Sequence, residues 1–567
     1  MNQPTKETKA QRVERLKREL NPWDRLEDIR RFAREGYQSI PAEWLGTYFR
    51  WWGVYTQGDG GGAIGGQGGE GKAVPYFMVR IRIPNGFLRS EQLRSIATLT
   101  KRYARGVADL TVRQNIQLHW ITIEALPEVL QELFNCGLTT MAACGDDTRN
   151  ITGCPLAGLG ADEICDASPL VLEADRLFIG DDQFYNLPRK FKISITGCRV
   201  WCSYPEINDV GLTAVTRTVG GTPEVGFALR VGGGLSTDPH LAEPLNAFVR
   251  WDQVSPVLKG VAQIFRDCSP LRDNRERARL KFLFLRNDWT AESFLSELES
   301  RLGFRLDPAV PQISPSDIYR DHIGIYPQKQ SGLCYVGAAV LRGRITAVQM
   351  QKAADLAERF ADGELRTTNM QNLVIVNVPE QNAELLAGEL QSIGLRVEAS
   401  SFWRGAIACT GSEFCKLAIT ETKSFTRWLV EELEERLPGF EQHLKLHVTG
   451  CPNSCGQHWI ADIGIEGKKI KVDGSLVDAY YFCLGGSVGL HQAIARPVGY
   501  RCVAREVPDA VERLLNSYLG ERHSGENLRQ FFARHSDAEL REMLAGELME
   551  AVMRESSPGR VPHGIEG

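Results

Sequence analysis

The sequence predicts an α+β fold produced by internal duplication, and three observations carry the prediction. First, the segment Lys192-Ile-Ser-Ile-Thr-Gly-Cys198-Arg-Val-Trp-Cys202 returns as Lys445-Leu-His-Val-Thr-Gly-Cys451-Pro-Asn-Ser-Cys455. Second, further matches keep the same order and nearly the same spacing: Gln114-Asn115-Ile116 with Gln371-Asn372-Leu373, Cys154 with Cys409, and Gly232-Gly233 with Gly485-Gly486. Third, each half opens with the same succession of strand, helix, strand and helix patterns.

The elements follow in order. Residues 1–72 read as helical sequence wrapping the body, closed by a glycine-rich loop. That loop is no dinucleotide fingerprint, because no strand and helix flank it. Residues 73–140 form a small α/β unit. Its strands are an alternating run over Phe77–Ile83 and a second near Ile116–Ile121, with a helix near Ser90–Tyr103 between them. Residues 141–325 form a larger α/β domain around the first Thr-Gly-Cys turn. Residues 326–398 repeat the small unit, with strands at Cys334–Val340 and Leu373–Val378 and a helix at Ala347–Phe360. Residues 399–567 repeat the larger domain and end in charged amphipathic helices over 520–555.

Composition narrows the class. The chain has 567 residues, 43% apolar and 24% charged, the balance of a soluble globular protein. A net charge of -5 with a pI of about 6.1 excludes the basic stripe of a nucleic-acid binder. No apolar run approaches the roughly 18 residues of a membrane span. The 14 cysteines are dispersed and the first residues lack the apolar core of a signal peptide. Reduced thiols in the cytoplasm are therefore expected.

The chemistry concentrates in the second half. Cys409 and Cys415 are spaced Cys-x5-Cys, and Cys451 and Cys455 are spaced Cys-x3-Cys. Four thiolates suit a [4Fe–4S] cluster, one per iron. Zinc ribbons use tighter pairs. The first half keeps Cys154, Cys198 and Cys202 but has Gly160 where Cys415 would align, which reads as a relict turn with buried thiols. Cations show the opposite bias. Arg80 and Arg82 face Gly337 and Ala339 in the repeat alignment, and Lys190 faces His443. One half therefore supplies positive charge and the other a metal cluster, which suits reduction of a small oxyanion. A bare electron carrier would need no such cations.

The paired cysteine motif resembles that of the ferredoxin-dependent nitrite and sulfite reductases, from about Trp51 to about Arg505. The resemblance implies two ferredoxin-like half-units, two larger domains, a sirohaem and a [4Fe–4S] cluster. It places Cys409, Cys415, Cys451 and Cys455 on the cluster, with Cys455 also the proximal ligand of the haem iron. It gives the substrate to Arg80, Arg149, Lys190 and Lys192, and the sirohaem carboxylates to Arg113, Gln117, His119 and Arg189. Arginine offers a fixed fork of donors, and a lysine among other cations can act as a general acid. No flavin or nicotinamide domain is visible, so ferredoxin is the expected donor to a monomeric enzyme.

Sulfite is the expected substrate. Nitrite-reducing relatives commonly have Asn where Lys192 stands, and sulfite carries more negative charge. Reduction of nitrite to ammonia is the alternative. The Trp51–Gln57 stretch and Cys144 resemble the sulfite-reducing bacterial branch, in some members of which a pair such as Tyr55 and Cys144 is joined as a thioether.

Overall fold

The computed structural model describes residues 7–57, 75–311 and 319–546. The glycine-rich loop after Gln57 lies outside them, as do the last residues of the expected C-terminal helices.

The two small units interlock rather than stand apart. The first sheet runs Val54–Thr56, Phe77–Ile81, Ile116–Ile121, Val107–Leu110, and then Arg344–Thr346 from the second half. The second runs Gly324–Pro327, Leu333–Ala338, Leu373–Pro379, Glu364–Thr367, and then Phe87–Arg89 from the first half. Each half thus lends an edge strand to the other, which covers an edge that would otherwise be open. Boundaries at 72 and 325 cut across this: Val54–Thr56 and Gly324 belong to the small sheets. Helices Ser90–Tyr103 and Ala347–Phe360 pack together. One core, with Val79, Ile96 and Leu118 beside Val336, Met350 and Ile375, runs through both units. Complete burial of side chains of this size contributes about 1.5–3 kcal/mol each.

The two larger domains repeat one plan. Ile193–Thr196 pairs in parallel with Val210–Val219, and Leu446–Thr449 in parallel with Ile463–Val472. Each long strand returns as a hairpin through a two-residue turn, Gly220-Gly221 or Asp473-Gly474. Both residues of each turn have positive φ, which matches the twist of a tight hairpin. Three further helices, Val507–Glu521, Leu528–Arg534 and Asp537–Ala545, cover the second sheet with Leu514, Tyr518, Phe531 and Leu544.

The N-terminal helix Lys9–Glu19 starts at a capping box formed by Thr8 and Gln11. It sends Lys17 into the first large domain, where Lys17 is fully buried and donates to the Leu187 carbonyl at 2.8 Å. Among the described residues, no helix is long and apolar enough to cross a membrane.

Candidate functional site

The four second-half cysteines stand where two parallel strands end. Ala406–Ala408 runs beside Leu446–Thr449, and each leads directly into a cysteine turn. The Cys409 amide continues the ladder to the Val448 carbonyl at 3.1 Å, and the Gly450 amide donates to Cys409 Sγ at 3.2 Å. Gly456 is required by this approach, since a Cβ there would lie 2.4 Å from the Val448 carbonyl oxygen. Burial pushes the Cys415 and Cys451 thiols up to about 12, and Cys455 adds to the push on both. Cys409 is raised by burial and then by Cys455. Thiols that resist joint ionisation are stabilised as thiolates by a shared metal centre. Cys455 is exposed, the other three less so.

The cations come from the first half. Arg80, on the strand Phe77–Ile81, lies opposite Gln117, whose Oε1 accepts from Nε at 3.0 Å and Nη2 at 2.7 Å. Its Nη1 donates to the Ala143 carbonyl at 3.2 Å and to Cys144 Sγ at 3.0 Å. Arg149 donates to the carbonyls of Ala143 at 3.3 Å and Gly145 at 2.7 Å. Both guanidiniums therefore hang from one short loop. Tyr55 lies beneath Arg80, 5.9 Å from guanidinium carbon to ring centre. Burial pushes the Cys144 thiol up, against the pull of Arg80 and Arg149.

Lys190 and Lys192 owe their orientation to the residue between them. Phe191 is buried in the large-domain core, so alternation along the extended chain turns both lysines to the opposite side. A bridge between Thr148 and Phe191 sets this segment beside Arg149. Burial, then Arg279, lowers Lys190 to about 7, while Cys455 pulls it the other way. Burial, then Arg113 and Arg279, pushes Lys192 well below the ordinary lysine range.

A second tier holds these groups. Arg113 donates to Asn208 at 2.7 Å and to the Asn150 carbonyl at 2.5 Å, leaving its Nε buried without a protein partner. Asp146 collects Arg189 at 3.4 Å, Arg275 at 2.7 Å and Lys17 at 3.5 Å, which explains why the N-terminal helix inserts there. Arg279 is paired with Asp209 at 2.7 Å. Sequence reasoning missed Arg275, Arg279 and Lys281, although the alternating basic run Arg275-Glu-Arg-Ala-Arg-Leu-Lys281 was a signal.

His119 departs from the expectation of a cofactor contact. Its ring nitrogens are taken by Asp109 at 3.1 Å and Gln57 at 3.3 Å, and its face stacks on Phe414 at 3.9 Å. With both nitrogens engaged, it braces the residue next to Cys415 instead.

The repeat of this cation site in the second half is closed by the chain itself. Arg404 matches Arg149 and is paired by Asp321 at 2.7 and 2.8 Å. His443 matches Lys190 and is stacked by Tyr319 at 4.6 Å. Gly337 matches Arg80, and a Cβ there would lie 1.6 Å from the His322 carbonyl oxygen. The segment joining the halves thus fills one of two pseudo-equivalent pockets. In the other, four thiols and the guanidinium nitrogens of Arg113 and Arg149 that lack a hydrogen-bond partner suit an iron–sulfur cluster and a polycarboxylate macrocycle.

Comparisons with known proteins agree. A family model described as the nitrite and sulphite reductase 4Fe-4S domain matches residues 144–306 and 399–551. One described as the nitrite/sulfite reductase ferredoxin-like half domain matches 70–135 and 326–393. The chain is 37% identical over 536 residues to the assimilatory ferredoxin-dependent nitrite reductase of Haloferax mediterranei, covering 89% of this chain and 88% of that one. It is 36% identical over 542 residues to the ferredoxin sulfite reductase of Mycobacterium tuberculosis, covering 93% and 95%. The solved structure of the Mycobacterium tuberculosis NirA protein superposes with a TM-score of 0.88 at 36% identity, covering 93% of this chain and 97% of that one.

Proposed function

The chain belongs to the sirohaem and [4Fe–4S] family of nitrite and sulfite reductases, and we propose that it reduces sulfite to sulfide with six electrons from ferredoxin. The observation that carries the choice of substrate is Lys192 beside Lys190, both turned away from the core by Phe191. Relatives named for nitrite and for sulfite match this chain about equally, so similarity alone does not separate the two anions.

In this reading Cys409, Cys415, Cys451 and Cys455 hold the cluster, and Cys455 also serves the haem iron. Arg113, Gln117 and Arg189 would hold the sirohaem carboxylates. When bound, these groups supply the electrons and the iron at which the anion is reduced. The chain's own contribution is electrostatic and protonic. Arg80 and Arg149, steered by Gln117 and the Ala143 carbonyl, present fixed forks to the anion's oxygens. Lys190, lowered to about 7, is matched to giving a proton to a departing oxygen and regaining it from water. Burial and neighbouring cations hold Lys192 low; a bound anion would restore its charge, and the more negative anion gains more from it.

The test is kcat/KM for sulfite and for nitrite with reduced methyl viologen, which removes the partner protein from the comparison. Preference for sulfite supports the reading. Strong preference for nitrite transfers the site to reduction of nitrite to ammonia.

A further inference from the structure

The thiols left in the first half gain a histidine from elsewhere in the chain. Cys198 and Cys202 occupy the turn after Ile193–Thr196, as Cys451 and Cys455 do after Leu446–Thr449. Gly160 stands where the fourth thiol would be, but His322 arrives from the segment between the halves. The ligand atoms of Cys154, Cys202 and His322 all lie within 4.8 Å of one another. Cys198 Sγ is 3.5 Å from Cys202 Sγ. All four residues are buried, at 3%, 4%, 8% and 4% exposure for Cys154, Cys198, Cys202 and His322.

Two further observations point to a ligand. Neither ring nitrogen of His322 has a hydrogen-bond partner among the described residues. An unsatisfied buried polar group is destabilising, so this arrangement asks for a partner. The thiols are also arranged as thiolate acceptors: the Leu156 amide donates to Cys154 Sγ at 3.4 Å and Thr196 Oγ1 to Cys198 Sγ at 3.3 Å.

We propose that Cys154, Cys198, Cys202 and His322 bind one structural zinc ion. Tetrahedral zinc, with bonds of about 2.3 Å to sulfur and 2.0–2.1 Å to nitrogen, sets such ligand atoms roughly 3.5–3.8 Å apart. Cys154, Cys202 and His322 already lie within 4.8 Å of one another, and Cys198, 3.5 Å from Cys202, is the fourth ligand that would close on the ion. A four-iron cluster instead spreads its thiolates over separate irons. The second-half cysteines follow that wider plan and form no such tight group among the described residues. Apolar Leu156, Leu159, Val374 and Val376 enclose the first-half thiols, as befits a closed site without an open coordination position. The ion ties the segment that fills the second-half pocket to the first half, beside the ion pair of Arg320 with Asp162 at 2.9 Å.

The test is elemental analysis of the holoenzyme purified without chelators, followed by zinc-edge X-ray absorption. One zinc per chain is expected beside the iron of the cofactors, with three sulfur neighbours and one nitrogen. His322→Ala and Cys154→Ala should each lose that zinc and keep the cluster's EPR signal. If the variants fail to fold, the wild-type metal count and zinc coordination decide alone. Absence of zinc overturns the site, as does zinc that survives both substitutions. A second iron cluster there, or a Cys198–Cys202 disulfide in the freshly purified enzyme, overturns it as well.

Discussion

Asp321 neutralises Arg404 through two hydrogen bonds of 2.7 and 2.8 Å, whereas Arg149, at the matching place in the first half, has its nearest carboxylate, Asp147, at 3.7 Å. The duplication has therefore kept the arginine twice and left only one copy for an anion. In the second half the charge is spent on holding the connecting segment. Asp321→Asn should lower stability by about 1.5–3 kcal/mol, the usual loss for a hydrogen bond to a charged group. Thermal unfolding checks this, with KM for sulfite unchanged. A shift in KM without loss of stability would contradict a purely structural pair.

Lys192→Asn tests the role of the second lysine. Loss of one charge-assisted contact is worth about 1.5–3 kcal/mol, or roughly ten- to a hundredfold. The expected outcome is a fall of that size in kcat/KM for sulfite, a smaller fall for nitrite, and unchanged sirohaem content. Equal losses for both anions would remove Lys192 from the choice of substrate.

How much of this was legible in the sequence differs from residue to residue. The duplication was legible because the Thr-Gly-Cys turns need the same glycines in both halves. The facing of Lys190 and Lys192 was legible because an extended chain alternates about Phe191. The partners of His119 were not: Phe414 comes from the other half, and Asp109 meets His119 only through strand pairing. The exchange of edge strands was equally hidden, since Phe87–Arg89 and Arg344–Thr346 are three residues each, too short to carry an alternating pattern. The segment at Tyr319–His322 has no match in the repeat, so nothing in the pattern marked it as a filler of a pocket.

The pH dependence follows from Lys190. Its ammonium is lowered to about 7 by burial and by Arg279, so the acid form is present below that value and lost above it. Carboxylates of a bound cofactor raise the midpoint. The kcat/KM for sulfite should therefore fall on the alkaline side, at no lower than about pH 7. Lys190→Arg, which stays protonated, should remove this limb and lower kcat. A limb that persists in Lys190→Arg assigns it to another group.

Tyr55 and Cys144 both lie against Arg80, the ring 5.9 Å from its guanidinium carbon and the buried thiol accepting from it at 3.0 Å. Joining them as a thioether would pass two protons and two electrons to an oxidant such as dioxygen, and peptide mapping of aerobically purified holoenzyme should find the pair lighter by two hydrogen atoms. Quantitative alkylation of Cys144 in the unfolded holoenzyme would show an ordinary thiol.

The central claim is a division of labour, with the cluster on the second-half cysteines and the oxyanion on first-half cations. EPR of the reduced enzyme tests it most directly, comparing Cys451→Ser with Cys198→Ser at equivalent turns of the two repeats. The account predicts that Cys451→Ser abolishes the [4Fe–4S] signal and that Cys198→Ser leaves it intact. A normal signal with full activity in Cys451→Ser, or loss of the signal in Cys198→Ser, would contradict it.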